Sequence, residues 1–285
     1  MGMIFEDVYD GRARVTIPDG PHLKDKNGHL SPICLAIAAD FAAASAIRTA
    51  EDPAQRLATV NLHVQLTNAS LNGDLVARGE LLGYSENAQG RLGLAKFEIH
   101  CNDQLVAFGT GTFMVLPAPG GRILHPVPWI NRRPPESLEL PDPTTLEAHE
   151  KEIYTRAQNA LTAYTDNNTP FLDAFLNIRT QTLDGAARAE MDNGPHVGNR
   201  VGHLQGGISL ALAMASANAS LPENWNLSGI TAAYVSPGQG DAITAYSDVV
   251  HQGRLTAVIS TKLITSEGRL VLEVTTNHVR QQDKT

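Results

Sequence analysis

Positive charge never gathers in this chain. Its 285 residues carry 22 Lys and Arg against 30 Asp and Glu, a formal net charge of −8 with a pI near 5.6. Without a basic cluster, nucleic acid and an anionic membrane are excluded as main partners. Two cysteines, Cys34 and Cys101, are too few for a disulfide framework, and both fall in apolar segments typical of reduced, buried thiols. No apolar window is long enough to span a bilayer, and the start Met1–Asp7 lacks the basic and apolar regions of a signal peptide, so the expectation is a cytoplasmic protein with no membrane partner. The ten histidines include no His-x-x-x-His helical pair and the cysteines are far apart, which leaves no metal site to expect. A Gly-x-Ser-x-Gly elbow is missing, disfavouring a serine hydrolase. Gly109-Thr-Gly111 lacks the third glycine of a dinucleotide loop, and no cofactor is expected.

What is present centres on Asn199–Ser220. A polar, glycine-bearing loop leads into a helix without a single charge from Ile208 to Ser220, a composition suited to the middle of a domain rather than its surface. The first N–H groups of a helix have no partner inside it, and Gly206 and Gly207 carry no side chain to keep an acceptor away. A carbonyl or anion site follows as a candidate.

A second copy lies upstream. Gly28–Asp40 aligns without a gap against Gly202–Met214, sharing Gly-His-Leu and a small-residue helix, and turns further along repeat as Gly73-Asp74 with Gly240-Asp241 and Gln89–Leu92 with Gln252–Leu255. The copies differ where chemistry would care. Copy one has Asp40 where copy two has Met214; copy two has Gln205-Gly206-Gly207 where copy one has Ser31-Pro32-Ile33. Asp40 shares a helical stripe with Ile33, Ile37, Ala44 and Ile47, so a carboxylate points where apolar residues point.

Read in order, each copy predicts a strand, a helix and an antiparallel meander, an α+β layout. In copy one these are a strand over 4–18, a helix over 30–48 and strands near 57–69, 74–86, 91–101 and 104–116. Copy two predicts a strand-like run over 171–191, a helix over 204–220 and strands near 227–236, 241–251, 255–265 and 269–280. Between them Pro117–Pro143 reads as an extended surface linker, followed by a polar helix capped by Asp142 and ending near Thr162. The expected domains are therefore 1–118, a linker with a helix over 119–165, and 166–285.

The stretch Asn199-Arg-Val-Gly202-His-Leu-Gln205-Gly206-Gly207 resembles that of the hotdog-fold acyl-CoA thioesterases of the phenylacetate-degradation type, here as a double hotdog. That family carries His where Gln205 stands, and an Asp nine residues later, a place taken by Met214 in copy two and filled by Asp40 in copy one. Further shared stretches are Ala107–Val115 and Tyr234–Asp241. The resemblance implies two tandem hotdog domains, each an antiparallel sheet wrapped around a central helix, that pack as a pseudo-dimer within one chain; a further homo-oligomer is left open. It implies one composite site in which Asp40 faces Asn199, Gln205, Gly206 and Gly207, while the reciprocal site is dead. The implied activity is acyl-CoA thioester hydrolysis. The two glycine amides would cradle the carbonyl oxygen, Asp40 would act as general base or nucleophile, and Asn199 and Gln205 would orient water or carbonyl. Arg200 and Arg254, by charge and proximity to the motif loops, are candidates for the CoA phosphates.

Two rivals are set against this. A hotdog dehydratase would want Glu or Gln where Ala43 stands, and a hydratase a His where Ser45 stands. A non-catalytic acyl-CoA-binding hotdog remains, to be separated by a thiol-release assay.

Overall fold

The computed structural model describes residues 1–52, 55–87, 90–121, 124, 130–131 and 140–281. Most of the proline-rich stretch, with Pro126, Pro128, Pro134 and Pro135, lies outside them, as do Pro53 and Gln89.

The first half opens on a hairpin, β1 (Ile4–Tyr9) and β2 (Arg12–Ile17), and continues into α1 (Pro32–Arg48). The meander follows as β3 (Gln55–Leu66), β4 (Leu75–Asn87), β5 (Gly90–Cys101) and β6 (Gln104–Pro117). Two helices, α2 (Ala148–Asn167) and α3 (Phe171–Leu176), precede the second hairpin, β7 (Arg179–Leu183) and β8 (Ala186–Asp192). Then come α4 (Gly206–Ala219) and β9 (Trp225–Tyr234), β10 (Ala242–Gln252), β11 (Thr256–Thr265) and β12 (Leu270–Arg280).

All twelve strands form one antiparallel sheet in the order β1-β2-β4-β5-β6-β3-β9-β12-β11-β10-β8-β7. Each half wraps its own helix, α1 against β2, β4 and β5 and α4 against β8, β10 and β11, and the two helices touch each other. The halves join edge to edge through β3 and β9, which pair from Asn61 with Ala233 to Gln65 with Gly229. A twisted sheet closes around a helix only if the helix surface is small, and six of the seven alanines of α1 (Ala36, Ala38, Ala39, Ala42, Ala43, Ala46) are buried. Its larger core members, Leu35, Ile37 and Ile47, are buried as well, each worth about 1.5–3 kcal/mol against exposure.

Three expectations change. The single strand over 4–18 is a hairpin, because Asp10 takes a left-handed backbone and, with Gly11, turns the chain between β1 and β2. The run 171–191 is not one strand: Phe171, Leu172, Phe175 and Leu176 fall at helical spacing and form α3 before the β7–β8 hairpin starts. The polar helix begins at Ala148 and runs to Asn167, since the Asp142 carboxylate is taken up by the Thr144 N–H and hydroxyl in a turn, and the side chain of Glu150 accepts from the Glu147 N–H at the true helix start.

The connection between halves is also not wholly a surface linker. Leu124 is buried, Ile130 bridges to Phe5, and the Asn131 side chain accepts from Val8 N at 2.8 Å while donating to Val8 O at 3.2 Å. Cys34 and Cys101 are free and buried, their thiols pushed up to about 12 and about 11 by desolvation. Among the described residues no helix is long and apolar enough to cross a membrane, and no three His, Cys, Asp or Glu side chains gather as a metal cluster.

Candidate active site

The loop before each central helix is built the same way twice. Asn199 Oδ1 accepts from Val201 N (3.0 Å) and His203 N (3.1 Å); 174 residues earlier Asp25 Oδ1 accepts from Asn27 N (2.8 Å) and His29 N (3.0 Å). Leu204 N bonds Gly238 O as Leu30 N bonds Leu71 O, and Gln205 N bonds Val197 O as Ser31 N bonds Leu23 O. Both loops end in a helix cap: Gln205 Oε1 accepts from Ile208 N at 2.8 Å, Ser31 Oγ from Ile33 N at 3.4 Å. The loops therefore exist to launch helices at a fixed angle. The side-chain oxygen of Asn199 is taken up by the loop's own amides, as is that of Asp25, while Asn199 itself lines the cavity that holds Asp40.

What differs between copies is what meets at the seam where α1 and α4 touch. Gln205, having capped α4 with its oxygen, donates its Nε2 to Asp40 Oδ2 at 2.6 Å. Thr59 on β3 donates its hydroxyl to Asp40 Oδ1 at 2.9 Å, and the Gly207 N–H is a third donor to the same carboxylate. Asp40 is 6% exposed, and its pKa is pushed up to about 6, burial outweighing these three hydrogen bonds.

The glycines are needed for contact as much as for their amides. A Cβ on Gly207 would stand 2.6 Å from Ile37 Cα and 2.8 Å from the Ala36 carbonyl oxygen, in the backbone of α1. One on Gly206 would stand 2.7 Å from Asp40 Oδ1 and 2.8 Å from Thr59 Oγ1. So the two helices can cross only at glycine, and that crossing delivers the Gly207 amide to the carboxylate. Of the two amides expected to cradle a carbonyl oxygen, Gly207 also acts on the Asp40 carboxylate, and Gly206 lines the cavity and as a first-turn residue has no acceptor within its helix.

Asp40 lies on the wall of a cavity of about 1150 Å³. One part is apolar, with Phe5, Phe41, Leu57, Phe113, Leu124 and Ile130. Another carries three guanidinium groups. Arg48 donates to the Gln55 carbonyl, and burial together with the neighbouring Arg200 lowers its pKa to about 10. Arg56 stands close enough to His203 to help keep that ring neutral, after burial itself. Arg200 lines this cavity; Arg254 does not, being exposed at the turn between β10 and β11.

Sequence reasoning missed Thr59, Tyr234, Arg48 and Arg56 as site members. A signal for the first two lies in the repeat itself. Matching strand bulges at Val60 and Ser228 align β3 with β9, setting Thr59 against Leu227 and Tyr234 against Leu66. The corner Asp40, Thr59, Gln205, Gly206 and Gly207 has as its counterpart Met214, Leu227, Ser31, Pro32 and Ile33, where no carboxylate stands.

Comparison with known proteins bears on the fold. Residues 195–279 match the family described as the acyl-CoA thioesterase N-terminal domain. Among solved structures, a candidate thioesterase from Novosphingobium aromaticivorans is 16% identical with a TM-score of 0.58, covering 99% of each chain. The tesB protein of Mycobacterium avium subspecies paratuberculosis (11% identity, TM-score 0.56) and the acyl-CoA thioesterase II TesB2 of Mycobacterium marinum (13%, 0.53) each cover 98% of this chain and 96% of their own. No curated protein sequence matches. By its fold the chain is a tandem hotdog, and its residues 195–279 match the model of the acyl-CoA thioesterase N-terminal domain.

Proposed function

We propose that the protein hydrolyses acyl-CoA thioesters at a single composite site, drawing its acid from the first domain (1–118) and its amides from the second (166–285). The observation that carries this reading is the buried Asp40 carboxylate, bound by Gln205 and Gly207 across the seam, on the wall of a large and mostly apolar cavity. A carboxylate with a pKa near 6 is ionised at neutral pH and still basic enough to take a proton from water. Asp40 removes that proton as the water oxygen attacks the thioester carbon. Thr59 and Gln205 hold the carboxylate, and the Gly206 N–H faces the oxygen on which charge develops. Collapse of the tetrahedral intermediate breaks the C–S bond, and the proton passes to the leaving thiolate, giving acid and free CoA. Arg48, Arg56 and Arg200 supply the positive charge for the phosphates of CoA, a local excess in a chain whose net charge is −8.

The test is release of free thiol from a panel of acyl-CoAs. Wild-type protein should turn over at least one of them, and Asp40→Asn, still folded, should lose on the order of two or more powers of ten in kcat. Stabilisation of the fold by acyl-CoA without any thiol release would instead mark a binding protein and overturn the hydrolase reading.

A further inference from the structure

Tyr234 closes β9 beside the acid. Its side chain lines the cavity, and its hydroxyl donates to the Gly206 carbonyl oxygen at 2.9 Å. That carbonyl and the Gly207 N–H belong to one peptide unit, so a single rigid plane accepts from Tyr234 at one end and donates to Asp40 at the other. The phenol is partly buried and held neutral by desolvation and by the nearby Asp40, which keeps it a donor. The repeat gives an independent sign: the residue ending β3 at the equivalent place is Leu66, so the hydroxyl occurs only on the side that has the carboxylate.

We propose that Tyr234 is a positioning residue, whose hydroxyl fixes the Gly206–Gly207 peptide plane and so keeps the Gly207 N–H aimed at Asp40. It touches neither water nor thioester in this role. Donation to the carbonyl polarises the peptide and strengthens its N–H as a donor, by about 10–30% for one bond in a chain. Without it the carboxylate loses part of its stabilisation and swings more freely. The other titratable or charged groups lining the cavity are Tyr9, Asp10, Arg48, Glu51, Arg56, Arg200 and His203.

The role in turnover rests on the thioester-hydrolysis reading, whereas the contact to Asp40 does not, and the two are tested apart. In Tyr234→Phe the ring and its packing remain and only the hydroxyl goes. The expected result is a fall of roughly 5- to 30-fold in kcat with KM within about twofold, and an acid limb of the kcat profile moved up by about half a pH unit. The carboxyl carbon signal of Asp40, identified by its absence in Asp40→Asn, should titrate with the same upward movement when no substrate is present. A folded Tyr234→Phe with wild-type kcat and an unmoved Asp40 titration overturns the proposal. If wild-type protein releases no thiol, the hydrolase reading falls while the carboxyl titration still decides for or against Tyr234. Should Tyr234→Phe not fold, 3-fluorotyrosine placed at 234, nearly isosteric and a stronger donor, should move the Asp40 titration downward, and no movement overturns the idea.

Discussion

Asp40 shows what one side chain costs the molecule that carries it. Folding raises its pKa to about 6 from the ordinary 3.8, so the folded state holds the proton more tightly. The stability linked to that proton is present below about pH 4 and lost as pH rises through 6, an expense of about 3 kcal/mol in the ionised form at neutral pH. Asp40→Asn should recover part of this. Because the new amide must face at least one donor with its own NH2, a net gain of about 1–2 kcal/mol and a Tm higher by a few degrees is expected at pH 7.5, shrinking as pH falls from 6 to 4. Thermal unfolding of the two proteins across that range checks it, and a variant less stable than wild type at pH 7.5 would show that the three donors outweigh burial.

At the scale of elements, the paired loops separate scaffold from chemistry. Asn199 and Asp25 make the same two hydrogen bonds in equivalent loops, so a carboxylate can do the work of Asn199. Asn199→Asp is expected to keep thioesterase turnover within about twofold, whereas Asn199→Ala, leaving two amides unpaired, should cost about 1–2 kcal/mol and shift Gln205. Assay of both variants decides, and loss of turnover in Asn199→Asp would return Asn199 to contact with substrate. The repeat made much of the fold legible: the charge-free helix after Gln205, the strand spacing of both meanders, and the exchange of Asp40 for Met214 all read directly from residues. Thr59 and Tyr234 stayed hidden because a strand pattern reports which face a residue takes and not which helix crosses it. Phe171–Leu176 misled for the opposite reason, its aromatic and leucine pairs suiting strand and helix alike until α2 and the Pro21–Leu23 turn gave them a helical face to cover.

Across the whole molecule, two buried imidazoles set the acid limit. His196, edge-on to Phe175 with neither ring nitrogen hydrogen-bonded within the protein, and His278, 1% exposed, both have pKa values lowered to about 4, desolvation being the first cause. Folded, they resist protonation; unfolded, they accept it near 6.5. The unfolded state therefore gains protons as pH falls from 6.5 to 4, and stability should decline by up to a few kcal/mol in that window, less for the half-buried His196. The ion-paired carboxylates Glu190 and Asp192, held below their usual range, fail only at lower pH. Because Asp40 gains stability over the same range, the histidines are read by difference: lowering pH from 6.5 to 4 should cost wild type more Tm than His196→Phe with His278→Gln, and an equal change in the two proteins would refute the assignment.

One continuous sheet has a last consequence. Asp40 hangs from one half of it and Gln205 from the other, so the five residue pairs between β3 and β9 act as the ruler that sets their 2.6 Å bond. A slip of two residues there would slide one half about 7 Å along the other, parting Asp40 from Gln205 while each half kept its own sheet and helix. Such a protein would fold, bury its helices and be inert, which makes strand alignment at the midline, rather than the integrity of either half, the trait that heredity must guard.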